Sequence, residues 1–173
     1  MKERELNQLL EETKRLNTLI SEFIEQKTLI LQETNQSEIQ GHILKSENNL
    51  RFVQENIKLG FLDWAITGCY YACYHSALAL ILTKGYTSKN HLATLCILIK
   101  EFYNTELKKE DIETISTLLD YQDVLFYVES KNKREDATYS TKTKFDIKEA
   151  NELKLKAALF VAKTKTILNK TLK

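Results

Sequence analysis

The stretch FLDWAITGCYYACYHSALALILTKGYTSKNH, residues 61–91, decides the fold. It starts just after Gly60 and is apolar nearly all round as far as Leu82, then runs through Lys84 and Gly85 into a short polar connector. A helix without a polar face has to be enclosed by other elements, so this one is predicted to stand at the centre of a bundle. Its apolar run comes close to the roughly twenty residues that span a bilayer. Asp63, His75 and three tyrosines lie within it, and its flanks carry no membrane signature, which assigns it to a soluble interior.

The rest of the chain supports helices around that centre. It has 173 residues, enough for one sizeable core, with no proline and only four glycines. Proline is the strongest helix breaker, and no run alternates apolar and polar residues between turn clusters, so no strand is expected. Upstream, Ser37 to Gln40 has the form of a capping box. A helix is predicted from there to about Lys58, with Ile39, Ile43, Leu50, Val53 and Ile57 inward and Gly60 as its stop. Further upstream, Leu6, Leu9, Leu16, Ile20, Phe23 and Ile30 follow a three-four spacing, which predicts one long helix from about Lys2 to Glu33.

Downstream, Leu92 to about Tyr103 forms a shorter helix, and another runs from about Leu107 to Asn132 through Ile112, Ile115, Leu119, Gln122 and Phe126. Asp146 caps the last helix, with Ala150, Leu153, Ala157, Phe160, Val161, Thr164 and Leu168 facing in. The expectation is an all-α, up-and-down helical bundle with a four-to-five-helix core and a long N-terminal helix. Residues 1–36 form an amphipathic helix that either packs along the bundle or acts as a dimerisation arm, and residues 37–173 form the bundle.

Several kinds of chemistry are excluded or disfavoured. Cys69, Cys73 and Cys96 are odd in number and lie in apolar helical runs, which suits reduced thiols packed as small hydrophobes. MKERELNQLL lacks the apolar core of a signal peptide, so a cytoplasmic location is expected. Cys69 and Cys73 share a helix face, but His75 is turned roughly 200 degrees from Cys73, which is wrong for joint metal ligation. No phosphate loop, dinucleotide fingerprint or serine elbow is present. His75 shares a face with Tyr71 and reads first as a core histidine bonded to a tyrosine or a backbone carbonyl, and second as a general base.

Charge is unevenly distributed. Residues 1–60 are net −2 and 61–130 net −4, while 131–173 hold 12 basic against 5 acidic groups, net +7. Within that basic quarter, KNKREDATYSTKTKF gathers Lys131, Lys133, Arg134, Tyr139, Lys142 and Lys144. Arginine offers a planar fork for phosphate, lysine a point charge, and tyrosine a hydroxyl or a stacking face. Such a segment is either a polyanion-binding element or a solvated loop.

The order of the motifs adds a family. Tyr70-Tyr71, Lys84-Gly85-Tyr86, Ser88-Lys89-Asn90-His91, and the Arg134 to Tyr139 element with Ala137 between resemble the HEPN family (higher eukaryotes and prokaryotes nucleotide-binding domain). The match looks closest to its small prokaryotic, often archaeal, stand-alone members and covers about Glu38 to Leu168. The resemblance implies a dimeric bundle with the arginine motif near the dimer cleft. Many members are metal-independent ribonucleases of toxin–antitoxin and other defence systems, whose arginine is followed after four to six residues by histidine. Arg134 matches that arginine, but no histidine follows it, and Tyr139 stands where the active form would have one. With an unperturbed pKa of about 10, tyrosine is a poor base at neutral pH.

Other HEPN proteins bind nucleotides or RNA without cutting, or pair with a minimal nucleotidyltransferase. The resemblance therefore implies a homodimer that binds RNA or a nucleotide through Lys131, Lys133, Arg134, Tyr139, Lys142 and Lys144, as a non-catalytic toxin–antitoxin or defence protein. A nucleotidyltransferase is the candidate protein partner, and no cofactor, metal or membrane is expected. One alternative is a ribonuclease in which His75 or His91 replaces the missing histidine beside Arg134 and Tyr139. The other is a purely structural interaction subunit.

Overall fold

The computed structural model of the chain describes residues 3–118 and 146–171. Its elements are α1 (Glu3–Glu11), α2 (Thr13–Glu25), β1 (Leu29–Leu31), α3 (Gln36–Leu59), α4 (Leu62–Leu82), β2 (Tyr86–Ser88), α5 (His91–Phe102), a helical segment α6 at 109–118, and α7 (Ile147–Thr171). The fold is an all-α bundle. α4 packs against α3, α7, α5 and β2, and it buries Ile66, Cys69, Tyr70, Cys73 and Leu78 to Leu82. That enclosure is why a 21-residue apolar helix needs no lipid.

The helix boundaries have local causes. Gly60 closes α3 in the left-handed region, at φ +80°, where glycine meets no Cβ penalty. The start of α3 differs from expectation, because Asn35 caps it, its side chain accepting from the backbone N–H groups of Ser37 and Glu38. Asn35 precedes the two free donors by two and three residues, which lets one carboxamide serve both. Asp146 accepts from the Lys148 N–H at the start of α7, as expected. All seven residues predicted to face inward on α7 are buried.

The N-terminal segment departs from a single long helix. It breaks at Glu12 into α1 and α2, and then at Lys27, whose φ of +57° turns the chain out of the helix. Leu29–Leu31 instead pairs antiparallel with Tyr86–Ser88, in the register Leu29 with Ser88 and Leu31 with Tyr86. A three-residue strand is too short to show alternation, so periodicity could not reveal it. Gly85 makes the pairing possible: its φ is +75°, and a Cβ there would come within 3.1 Å of the Gln32 carbonyl. The arm lies on the bundle, with Leu6, Leu9, Leu16, Ile20 and Phe23 buried and both helices packed against α5.

α7 is tied to its neighbours through lysines. Lys165 pairs with Glu47 of α3 at 2.5 Å, Lys163 with Asp111 of α6, Lys170 with Glu106, and Lys154 donates to Gln54. Part of the basic excess in the last quarter is thus matched inside the molecule, although exposed pairs of this kind each add at most about 1 kcal/mol.

Candidate functional site

Lys131, Lys133, Arg134, Tyr139, Lys142 and Lys144, the sequence-predicted ligand residues, lie outside the described residues, as do Leu119, Gln122 and Phe126 of the expected fifth helix. The two histidines among the catalytic candidates lie inside them. Each belongs to a different arm of one aromatic cluster on α4.

The first arm supports structure. Tyr70 is buried, and its hydroxyl stands 2.8 Å from Nδ1 and 3.0 Å from Nε2 of His91. Tyr74 stacks on Tyr70 and meets His91 edge-on at 4.5 Å between ring centres. His91 opens α5, and Asn90 caps that helix by accepting from the Ala93 N–H. Ser88 accepts from the Asn90 N–H and donates to the Asn90 carbonyl. The polar connector of the sequence is therefore a joint that fixes α5 against α4.

The second arm includes a residue the sequence did not mark. His42 of α3 faces His75 of α4, with their Nδ1 atoms 2.9 Å apart and their ring centres 5.2 Å apart. The expected partner for His75 was a tyrosine or a carbonyl; the observed one is another imidazole from 33 residues upstream. Both rings are partly exposed, so His75 is not a core histidine. Tyr71, on the same face, is exposed as well, with 39% of its surface open to solvent.

One turn below the pair, Ser46 donates to the Ala72 carbonyl at 2.7 Å and stands 2.8 Å from Ser76 Oγ. His42 and Ser46 are four apart on α3, as are Ala72 and Ser76 on α4, so these bonds fix the two helix faces that carry the imidazoles. Gly68 permits this closeness: a Cβ there would stand 2.7 Å from Val53 Cγ2.

Burial lowers the pKa of both imidazoles. For His42, Glu38 opposes that effect and Lys45 adds to it. His75 is brought down to about 4, by burial first and then by His42 and Lys45. Both shifts favour the neutral imidazole near pH 7, and the one on His75 makes it a weaker base than a free histidine. The cysteines are inert by contrast, with burial raising Cys69 and Cys96 to about 12 and Cys73 well above its ordinary value. Thiols held protonated are poor nucleophiles. No group of three or more His, Cys, Asp or Glu side chains is placed to hold a metal among the described residues.

Next to Tyr71 lies an apolar cleft of about 370 Å³ lined by Asn48, Asn49, Phe52, Trp64, Thr67 and Gly68. Trp64 is 54% and Phe52 45% exposed, and Leu44 continues the strip along α3. The sequence had shown α4 as apolar all round; the structure shows that its N-terminal half is left uncovered on this side.

Residues 39–154 match the family model described as HEPN domain. The chain is similar to "Putative toxin MJ0142" of Methanocaldococcus jannaschii, with 31% identity over 132 residues, 76% of this chain and 82% of that one. It is also similar to a "UPF0332 protein" of Archaeoglobus fulgidus, with 24% identity over 133 residues, 77% of this chain and 97% of the relative.

Proposed function

Because the chain belongs to the HEPN family, we propose that it acts in a toxin–antitoxin or defence system by binding RNA or a nucleotide through Lys131, Lys133, Arg134, Tyr139, Lys142 and Lys144. The observation that carries this reading is the family match itself, which runs continuously from α3 through the Arg134 to Tyr139 element. The relative whose name carries the word toxin supports the biological setting. Arg134 pairs with a phosphate, Tyr139 stacks or hydrogen-bonds, and the lysines supply the field. With tyrosine where the nuclease form has histidine, binding without cleavage is the activity these residues suit best.

A second copy of the chain is the proposed assembly partner, and a minimal nucleotidyltransferase the proposed protein partner. The strip of Leu44, Phe52, Trp64 and Tyr71 favours pairing, since exposed apolar patches of this kind commonly mark interaction sites. The binding reading is tested by anisotropy of a labelled single-stranded RNA across a salt series. Arg134→Ala should weaken binding and reduce the slope of log K against log salt by about 0.7, the loss of one phosphate contact. An unchanged constant and slope would remove Arg134 from the site.

The ribonuclease reading keeps one specific observation in its favour, a partly exposed His75 with a second imidazole beside it. Incubation with labelled RNA in EDTA tests it. Cleavage that persists in both His75→Ala and His91→Ala, or no cleavage at all, rules out this chemistry.

A further inference from the structure

We propose that the cleft between α3 and α4 is a nucleobase site, where one base of the RNA or nucleotide stacks among Phe52, Trp64 and Tyr71. The inference rests on the binding reading above and gives it a second contact, apart from the Lys131 to Lys144 element. The cleft's volume of about 370 Å³ lies in the range of about 300–1,000 Å³ usual for ligand sites. Such sites are mostly apolar and aromatic, with a few polar groups that fix the ligand. Here Trp64, Thr67, Gly68 and Tyr71 follow three-four spacing along one face of α4, and Asn48, Asn49 and Phe52 line the cleft from α3.

Each part suits a flat aromatic ligand. Phe52, Trp64 and Tyr71 are all exposed, and three large rings around one cleft form an apolar surface that asks for an occupant. Buried Tyr70 supports Tyr71 edge-on, at 4.8 Å between ring centres, and a ring held in advance loses little freedom on binding. Gly68 adds no side chain to the lining. The polar groups keep bonding capacity. Asn49 donates through Nδ2 to the Lys45 carbonyl at 2.8 Å, which leaves its Oδ1 as an acceptor. Asn48 accepts through Oδ1 from Arg51, which leaves its Nδ2 as a donor. Base edges carry donors and acceptors of the same kind. Arg51, exposed beside Asn48, offers its guanidinium to the phosphate of the stacked nucleotide.

A base presents a π-face and a hydrogen-bonding edge together, which matches rings and carboxamides gathered at one place. Leu44, one turn along α3 from Asn48, does not line the cleft and stays available to a second copy of the chain. Stacking is uncharged, so this contact adds affinity without adding to the salt dependence that the basic element creates.

Trp64 is the single tryptophan of the chain, so its fluorescence reports on the cleft without any variant. The full chain is titrated with adenosine monophosphate and, separately, with a single-stranded oligoadenylate RNA, exciting at the red edge of the indole band where bases do not absorb. Saturable quenching is expected; quenching by both ligands assigns the site to a nucleotide, and quenching by the RNA alone assigns it to the polymer. In anisotropy, Tyr71→Ala should weaken RNA binding about ten-fold, the worth of one stacked base, at an unchanged salt slope, and Tyr71→Phe should restore it. Far-UV circular dichroism confirms that both variants are folded. RNA binding without quenching, or Tyr71→Ala binding as the parent does, would overturn this site and leave the binding reading standing. No binding in either assay would overturn both. A Tyr71→Ala variant that changes only the mass in light scattering would give the cleft to the second copy and overturn the proposal.

Discussion

Replacing Gly68 with alanine tests whether α3 and α4 are held at glycine distance. On helix propensity alone the change is favourable by about 1 kcal/mol, because glycine is a poor helix former. Packing opposes it. The new Cβ would stand 2.7 Å from Val53 Cγ2 and 3.1 Å from Phe52 Cδ1, while ordinary carbon contacts are about 3.5–4.0 Å. Val53 is fully buried and β-branched, so it cannot turn aside by changing rotamer, and the helices must part by about 1 Å. Overpacking of this size costs about 1–3 kcal/mol. The net expectation is destabilisation of about 1 kcal/mol, seen as a Tm lowered by about 2–4 °C.

A double-mutant cycle isolates the contact. Val53→Ala alone leaves a cavity and should cost about 2–3 kcal/mol. In the double variant the methyl introduced at position 68 enters space that Val53 vacated, so the two effects should fall short of additivity by about 1–2 kcal/mol. Chemical denaturation of the four proteins measures this. A Gly68→Ala variant more stable than the parent, or a cycle additive to within about 0.5 kcal/mol, would refute the account.

Two further outcomes follow from the same interface and from α7. His42 and His75 have pKa values depressed by burial, so the unfolded chain takes up protons that the folded one refuses. Stability should be full above about pH 6.5, the unfolded value, and fall as pH drops towards 4; His75→Gln should flatten that part of a Tm-against-pH curve, and an unaltered curve would contradict the assigned shift. Thr164 is buried on α7, and its hydroxyl has no hydrogen-bond partner among the described residues. Thr164→Val keeps the shape and removes the unpaired group, so it should raise stability by about 1 kcal/mol in denaturant titration, and a loss would show that the hydroxyl is satisfied.

The sequence alone determined the class of fold and its centre. Residues 62–82 carry no polar face, glycine ends α3 beside them, and the spacing on α7 selected the buried side correctly at all seven positions. Those signals are local, since helical periodicity records which side of an element must avoid water. The order of Tyr70-Tyr71, Lys84-Gly85-Tyr86, Ser88 to His91 and Arg134 to Tyr139 likewise identified the family that the match over residues 39–154 bears out. The long N-terminal helix was misread because its heptad-like spacing persists across Glu12 and Lys27, where the backbone turns. β1 then finds its partner far along the chain, with Leu29 opposite Ser88 and Leu31 opposite Tyr86.

Only the tertiary structure decided which side chains meet. His42 gave no signal, because a lone histidine on α3 has no periodic meaning, and its partner is 33 residues away. The contact exists because Gly68 lets α3 and α4 approach and the Ser46 bonds set their rotation. The same close approach makes two imidazoles neighbours, while Trp64 and Tyr71 on the same helix stay exposed. Proximity across a helix interface is a property of packing distance and rotation, which no single element's sequence contains.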